Sequence, residues 1–167
     1  MRLFSAFAIL ATVATTAGAT VAVDFYEGAP KDRFAITNQT GCALRDLELT
    51  IDLEGSGGAL IFNVTGQGAG VEVFQPFEVV AGRDALTGLP EVLDGDRRVT
   101  LAIDTLGQGQ TIAFTIDVDD TIGAREITVT GAEIAGASVM LRQGAMQSVA
   151  LFDDAAKARL DGNMCRS

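Results

Sequence analysis

The chain has 167 residues, of which 12 are basic and 22 are acidic, so its formal net charge is −10. An acidic chain repels phosphate backbones and anionic lipid surfaces, which argues against nucleic acid as a partner. The sequence contains no His. That excludes Ser-His-Asp and Cys-His catalysis and His-ligated metals, and it leaves carboxylate chemistry and hard cations bound by oxygen.

The first predicted element is a signal peptide over residues 1–19. Arg2 supplies a positive start, residues 3–13 are apolar apart from two hydroxyl side chains, and Ala17-Gly18-Ala19 is a small-residue cleavage site. The apolar run is shorter than the roughly 18 residues of a membrane span. We therefore expect an exported protein, periplasmic or extracellular, with no integral membrane span and one domain over residues 20–167. The alternative is a buried N-terminal strand or helix.

Beyond residue 20, apolar and polar residues alternate with a period of two, which is typical of half-buried strands. Glycine-rich and Asn- or Asp-containing turns separate the alternating runs. About nine short strands with regular turns predict an all-β protein, an antiparallel β-sandwich of the jelly-roll or Ig-like type. The predicted strands contain residues 21–25, 34–36, 47–53, 60–64, 99–103, 112–118, 127–129, 138–141 and 148–152.

Two segments fit this alternation less well. Residues 66–90 contain a candidate strand at 71–74, and the nearby Pro76 indicates an edge strand or a bulge there. Residues 153–160, DDAAKARL, are predicted to form one or two helical turns with Asp153 as the N-terminal cap.

The two Cys residues, Cys42 and Cys165, both lie in the portion that we expect to be exported. In an oxidising compartment the default expectation is one disulfide between them. It would tie the C-terminal tail to the segment just before the strand that contains Leu47. Two free thiols are the alternative.

A group of carboxylates marks the end of the strand that contains residues 112–118. The alternation directs Asp117 and Asp119 outward, and Glu126 faces outward in the following predicted strand. Any register that joins the two apolar faces brings Glu126 opposite or diagonal to Asp117 or Asp119, where like charges repel. With Asp120 and turn carbonyls, these side chains predict a calcium site, because calcium takes about six to eight oxygen ligands in loose geometry.

A solvated, salt-bridged face is the alternative to calcium. If the strand of residues 99–103 pairs with the strand of residues 112–118, Arg98 lies opposite or diagonal to Asp117. With Arg125 nearby, Arg98 would neutralise part of the cluster without a metal, and Asp119 and Asp120 would be solvated and close the turn.

Several stretches of the sequence resemble a family of exported alphaproteobacterial proteins labelled "aggregation factor core". They are EGAPKDRFAITN, GVEVFQPFEVVAG, FTIDVDDT and REITVTGAEIAGA. The label derives from sponge cell-adhesion factors that work with calcium. The resemblance implies an exported β-sandwich with a role in adhesion, and its stretch FTIDVDDT includes Asp117, Asp119 and Asp120.

We therefore expect a non-enzymatic, exported β-sandwich that acts in surface interaction or adhesion with calcium as a cofactor. Its partner would be a protein or a surface polymer, and self-association through an exposed edge strand is an option. A periplasmic small-ligand or glycan-binding module is the alternative, although the chain has no Trp and one Tyr for stacking sugars. A carboxylate-based hydrolase is a third reading, although no acidic pair stands out from the general acidity.

Overall fold

The computed structural model describes residues 20–64, 75–122, 129–161 and 164–165. Within them, ten strands form two antiparallel sheets, which confirms the predicted all-β sandwich. The predicted signal peptide lies outside the described residues. The strands are β1 Thr20–Tyr26, β2 Asp32–Asn38, β3 Leu44–Asp52, β4 Ile61–Asn63, β5 Glu78–Ala81, β6 Arg98–Leu106, β7 Thr111–Asp119, β8 Ser138–Gln143, β9 Met146–Leu151 and β10 Lys157–Asp161, with a 3₁₀ turn at Arg83–Ala85 and a short helix α1 at Gly131–Ile134.

The first sheet has the strand order β10-β1-β2-β7, and both β4 and β5 pair with β7. Its inner face is aromatic at the centre. Phe34 on β2 lies opposite Phe114 on β7, and their rings stack with centroids 5.1 Å apart. Phe25 on β1 packs against Phe34 with the centroids 5.0 Å apart. Because these rings are buried, they contribute a large apolar area to the core.

The second sheet has the strand order β6-β3-β8-β9. Leu49 on β3 lies between Leu101 on β6 and Leu141 on β8, and all three side chains are buried. The opposite face of β3 is polar, as the alternation predicts: the Glu48 carboxylate accepts a hydrogen bond from Arg142 at 2.6 Å. The core therefore lies between the two sheets, and the charged side chains of β3 face away from it.

The predicted helical turns over residues 153–160 are wrong, because this segment is a turn followed by β10. The Asp153 carboxylate accepts hydrogen bonds from the backbone N–H groups of Ala155 and Lys157, both at 2.9 Å. It therefore closes a turn instead of capping a helix. Beyond the turn, Ala158 and Leu160 are buried, and β10 pairs with β1.

The structure describes only the last residue of the strand that was predicted over residues 127–129. Residue 127 lies outside the described residues. Val129 is buried but belongs to no strand, because the next residue, Thr130, forms a capping box with Glu133 and starts α1. The candidate strand at 71–74 also lies outside the described residues, and β5 follows it in the chain without having been predicted.

The predicted disulfide is confirmed: Cys42 and Cys165 are bonded across a sequence separation of 123 residues. Asn38 supports the turn beside it. The fully buried Asn38 amide donates to the carbonyl oxygens of Cys42 and Leu106, at 2.8 and 2.9 Å, and its own oxygen accepts from the Thr40 backbone N–H at 2.9 Å. One side chain thus joins the end of β2, the disulfide turn and the end of β6.

No helix in the described ranges is long and apolar enough to cross a membrane. The disulfide is compatible with the export that the sequence predicts.

Candidate functional site

The end of β7 carries two of the four predicted calcium ligands. Asp117 and Asp119 lie opposite Asn63 and Ile61 of β4, and both aspartates are partly buried. The Asn63 amide donates a hydrogen bond to the Asp119 carboxylate at 2.9 Å. Strand β4 therefore covers this end of β7 and holds the Asp119 side chain in place.

Asp32 is a third carboxylate at this end of the sandwich. It is the first residue of β2, and its side chain is 2% exposed. Its two oxygens accept hydrogen bonds from the backbone N–H groups of Gly28 and Val118, each at 3.1 Å. The bond to Val118 links the start of β2 to β7 beyond their last backbone pair. The bond to Gly28 closes the loop that precedes β2.

The period-two pattern contains a signal for Asp32 that the sequence analysis did not use. Phe34 and Ile36 share the inner face of β2, and Asp32 lies two residues before Phe34. The same parity directs the Asp32 side chain inward. A buried acid at the start of an alternating run was therefore predictable from the sequence, although its two backbone partners were not.

Burial raises the proton affinity of two of these carboxylates, Asp32 and Asp117, and neighbouring negative charges add to the effect. Burial raises the pKa of Asp32 to about 7, with smaller contributions from the negative charges of Asp117 and Asp119, and the hydrogen bonds from Gly28 and Val118 oppose this change. Burial also raises the pKa of Asp117 to about 6, and the charge of Asp119 adds to it. This end of the molecule therefore gains negative charge between weakly acidic and neutral pH.

The other two predicted ligands are Asp120 and Glu126. Asp120 follows β7 directly, and Glu126 lies outside the described residues. The predicted pairing of Arg98 with Asp117 is wrong. Strand β6 pairs with β3 in the other sheet, where Arg98 lies opposite Asp52 and their side chains form an ion pair at 2.7 Å.

Among the described residues, no group of three or more Asp, Glu, Cys or His side chains is arranged to hold a metal ion. Within the described ranges, no ion pair involves Asp32 or Asp117.

A second candidate site is the outer edge of β9. Strand β9 pairs with β8 on one side, through a hairpin with a two-residue turn at Gly144 and Ala145. Gln143 and Met146 flank this turn as a hydrogen-bonded pair, so alternate residues from Met146 onward bond to β8. The backbone groups of the other three residues, Gln147, Val149 and Leu151, point away from β8.

The outer edge of β9 carries apolar side chains and no charge. Val149 is 56% exposed and Leu151 is 61% exposed. Met140 on β8 lies directly opposite Val149 and extends this apolar strip on the outer face of the sheet. We call the residues Met140, Gln147, Val149 and Leu151 the β9 edge.

The other edge strands in the described ranges carry a charge or are covered. Strand β10 exposes Lys157, Arg159 and Asp161. The backbone of β4 bonds to the loop at residues 95–96. Strand β6 carries Arg98 and accepts a backbone bond from Thr87, and β5 carries Glu78. Charges and covering segments are the common means of blocking strand addition. Within the part of the chain that the structure describes, the β9 edge has neither.

A shallow polar cleft lies beside the disulfide. It is a candidate pocket for the alternative function, the binding of a small ligand or a glycan. Its wall includes Arg45, Asp46 and Gln143 of β3 and β8, together with Met164 from the chain end. Asp46 adopts a positive φ of 52°, a conformation that Asp tolerates better than most residues. No aromatic residue of the described ranges lines the cleft, so it lacks the stacking platform that sugar binding usually uses.

Comparison with known proteins finds no relative of this chain. The chain matches no protein-family model, no curated protein and no solved structure.

Proposed function

We propose that the protein is an exported, non-enzymatic interaction module that acts in surface interaction or adhesion through the β9 edge. The observation that carries this proposal is an uncharged edge strand with two exposed apolar side chains in a chain whose net charge is −10. Among the described residues, no strand pairs with its outer side. An open edge offers a row of backbone donors and acceptors to another extended segment. Its apolar side chains add burial to those hydrogen bonds.

The burial of Asp32 argues against a catalytic role for this carboxylate. Strongly shifted pKa values often mark catalytic acids. However, the carboxylate with the largest shift, Asp32, is 2% exposed, and both of its oxygens bind backbone N–H groups. A substrate cannot reach it, so its raised pKa is explained by burial inside the sandwich.

Strand addition also defines the kind of partner. The β9 edge would bind a polypeptide that can adopt an extended conformation, since the main-chain hydrogen bonds require another backbone. A protein at a cell surface meets this requirement, whereas a polysaccharide does not. The resemblance to the "aggregation factor core" family agrees with adhesion as the setting.

Retention of the purified protein on intact cells and on insoluble extracellular matrix tests the proposal. We expect the wild type to be retained and the variant Val149→Lys to be lost in the wash, because the new charge lies on the β9 edge. Ala102→Lys is the matched control, since it adds the same charge to an exposed position on β6 of the same sheet. Equal retention of both variants, or no retention of the wild type, would contradict the proposal.

Calcium dependence is a second proposal, and it concerns Asp117, Asp119, Asp120 and Glu126. It is supported by the negative charge that gathers beside Asp117, which a divalent cation would offset. Thermal melting in EDTA, calcium and magnesium tests it. A calcium-specific rise in the melting temperature that Asp119→Asn abolishes is the expected result. Identical melting curves in all three conditions would remove calcium from the proposed function.

A further inference from the structure

The β9 edge has the geometry to pair with the same edge of another copy of this chain. We infer that the partner is a second copy, and that the two β9 strands pair antiparallel across a two-fold axis at Val149. This inference rests on the proposed function of the β9 edge and names its occupant.

The register of the hairpin makes the edge self-complementary. The outward backbone groups belong to Gln147, Val149 and Leu151, which are spaced symmetrically about Val149. A two-fold axis at Val149 pairs Val149 with its equivalent and pairs Gln147 with Leu151 of the second copy. Three hydrogen-bonded pairs of this kind supply roughly six backbone hydrogen bonds, two for each pair.

Charge selects this edge for contact between copies. Each copy has a net charge of −10, so two copies repel at most surfaces. Strand β9 contains no charged residue, and the nearest basic side chain on β8, Arg142, is already paired with Glu48 at 2.6 Å. Pairing of two β9 strands therefore places no charged side chain of one strand against a charged side chain of the other.

The outer face of the paired sheets would also gain apolar contact. Val149 of each copy meets its equivalent at the axis, and Met140 flanks it on β8 of both copies. The result is a continuous apolar strip across the new eight-strand sheet, made from four strands of each copy. Cross-strand contacts of this type stabilise strand pairs beyond their backbone hydrogen bonds.

Sedimentation velocity from micromolar to millimolar protein tests the inference. We expect the wild type to shift from monomer to dimer as its concentration rises. Val149→Lys places two like charges opposite each other at the axis, and we expect it to weaken the dimer about tenfold or more. Ala102→Lys, on the opposite edge strand of the sheet, should leave the dimer unchanged. A monomeric wild type, or a dimer that Val149→Lys does not weaken, would overturn the inference.

Amide hydrogen exchange identifies the contact. In the concentrated wild type, exchange at Gln147, Val149 and Leu151 should slow relative to the dilute sample, while exposed amides of β10 should not change. If the three amides are already slow in the dilute monomer, a segment of the same chain occupies the edge and the inference fails. A protein that stays monomeric but still binds cells through Val149 would also overturn it, and that result would leave the proposed interaction function standing.

Discussion

Asn38 shows how one buried polar side chain can organise several segments. Its amide and carbonyl groups bind the end of β6, the disulfide turn and Thr40, and the residue has no exposed surface. Asn38 and Asn63 both begin sequences that match the glycosylation signal Asn-X-Ser/Thr. Both are buried, so in the folded protein these side chains serve internal packing and are closed to modification.

We expect Asn38→Ala to lower the free energy of unfolding by about 3 kcal/mol, because it leaves several buried backbone groups without partners. Urea denaturation followed by circular dichroism measures the loss. Gln39→Ala is the matched control at the exposed neighbouring position, where we expect a change within about 0.5 kcal/mol. Similar stability of the two variants would show that Asn38 does not organise the turn.

Asp32 makes stability depend on pH in an unusual direction for an acid. Its pKa is about 7 in the folded protein, against 3.8 for an unperturbed Asp. Between these values the folded state binds more protons than the unfolded state, so the free energy of unfolding falls as pH rises. The contribution is complete below about pH 4 and is lost as pH passes through about 7. Asp117, with a pKa of about 6, acts in the same direction.

We expect the protein to be less stable at pH 8 than at pH 5, with Asp32 contributing about 2.5 kcal/mol at most to the difference. Denaturation at the two pH values measures it, and an NMR titration of the Asp32 carboxyl carbon assigns it. Asp161→Asn, at an exposed position on β10, should leave the pH dependence unchanged. Stability that increases from pH 5 to pH 8, or an Asp32 that titrates near its ordinary pKa, would refute this account.

At the level of strands, the alternation of apolar residues was sufficient to predict most elements but not their neighbours. Alternation determines which residues face the core, and this held for Leu49 and Phe114 in opposite sheets. It carries no information on which strand lies beside which. Strands β6 and β7 follow each other closely in the chain but belong to different sheets, so pairing them in sequence order was wrong. The predicted contact of Arg98 with Asp117 failed for this reason.

The ion pair of Arg98 with Asp52 leads to a prediction about the carboxylate cluster. We expect Arg98→Met to leave the titration of Asp117 unchanged, because the two residues lie in different sheets. NMR titration of Asp117 in the variant and in the wild type measures this. Arg142→Met is a matched control, since it removes another guanidinium from the outer face of the same sheet. A shift of the Asp117 titration in Arg98→Met alone would mean that the two side chains interact.

Strand β10 illustrates how tertiary pairing overrides local preference. The segment DDAAKARL is rich in residues that favour helices, and an alternating stretch of five residues is too short to outweigh that preference. In the fold, Leu160 and Ala158 lie opposite Val21 and Val23 of β1, and all four are buried. The pairing partner lies more than 130 residues earlier in the chain, which no local pattern can reveal.

Across the whole molecule, the edges of the two sheets differ in how they are protected. Charged side chains or covering loops accompany β4, β5, β6 and β10 within the described ranges. The β9 edge is the exception, and its hydrogen-bonding groups repeat with the symmetry of a two-fold axis. The sequence alone does not reveal which strand forms an exposed edge, because strand order depends on pairing between distant segments.

The disulfide acts at the same scale, since Cys42 and Cys165 close a loop that spans most of the described chain. We expect the double variant Cys42→Ser, Cys165→Ser to lose about 4 kcal/mol of stability, because the unfolded chain regains the freedom that the link removes. For a domain of this size, that loss lowers the melting temperature by roughly 10 °C. Calorimetry measures the shift, and the reduced wild type should melt at the same temperature as the double variant.

Neither Cys42 nor Cys165 is among the buried residues of the core. The double variant should therefore retain the circular dichroism spectrum of a β-sheet protein. An unchanged melting temperature would mean that the tail at Cys165 is held by packing alone and that the covalent link adds nothing to the sandwich.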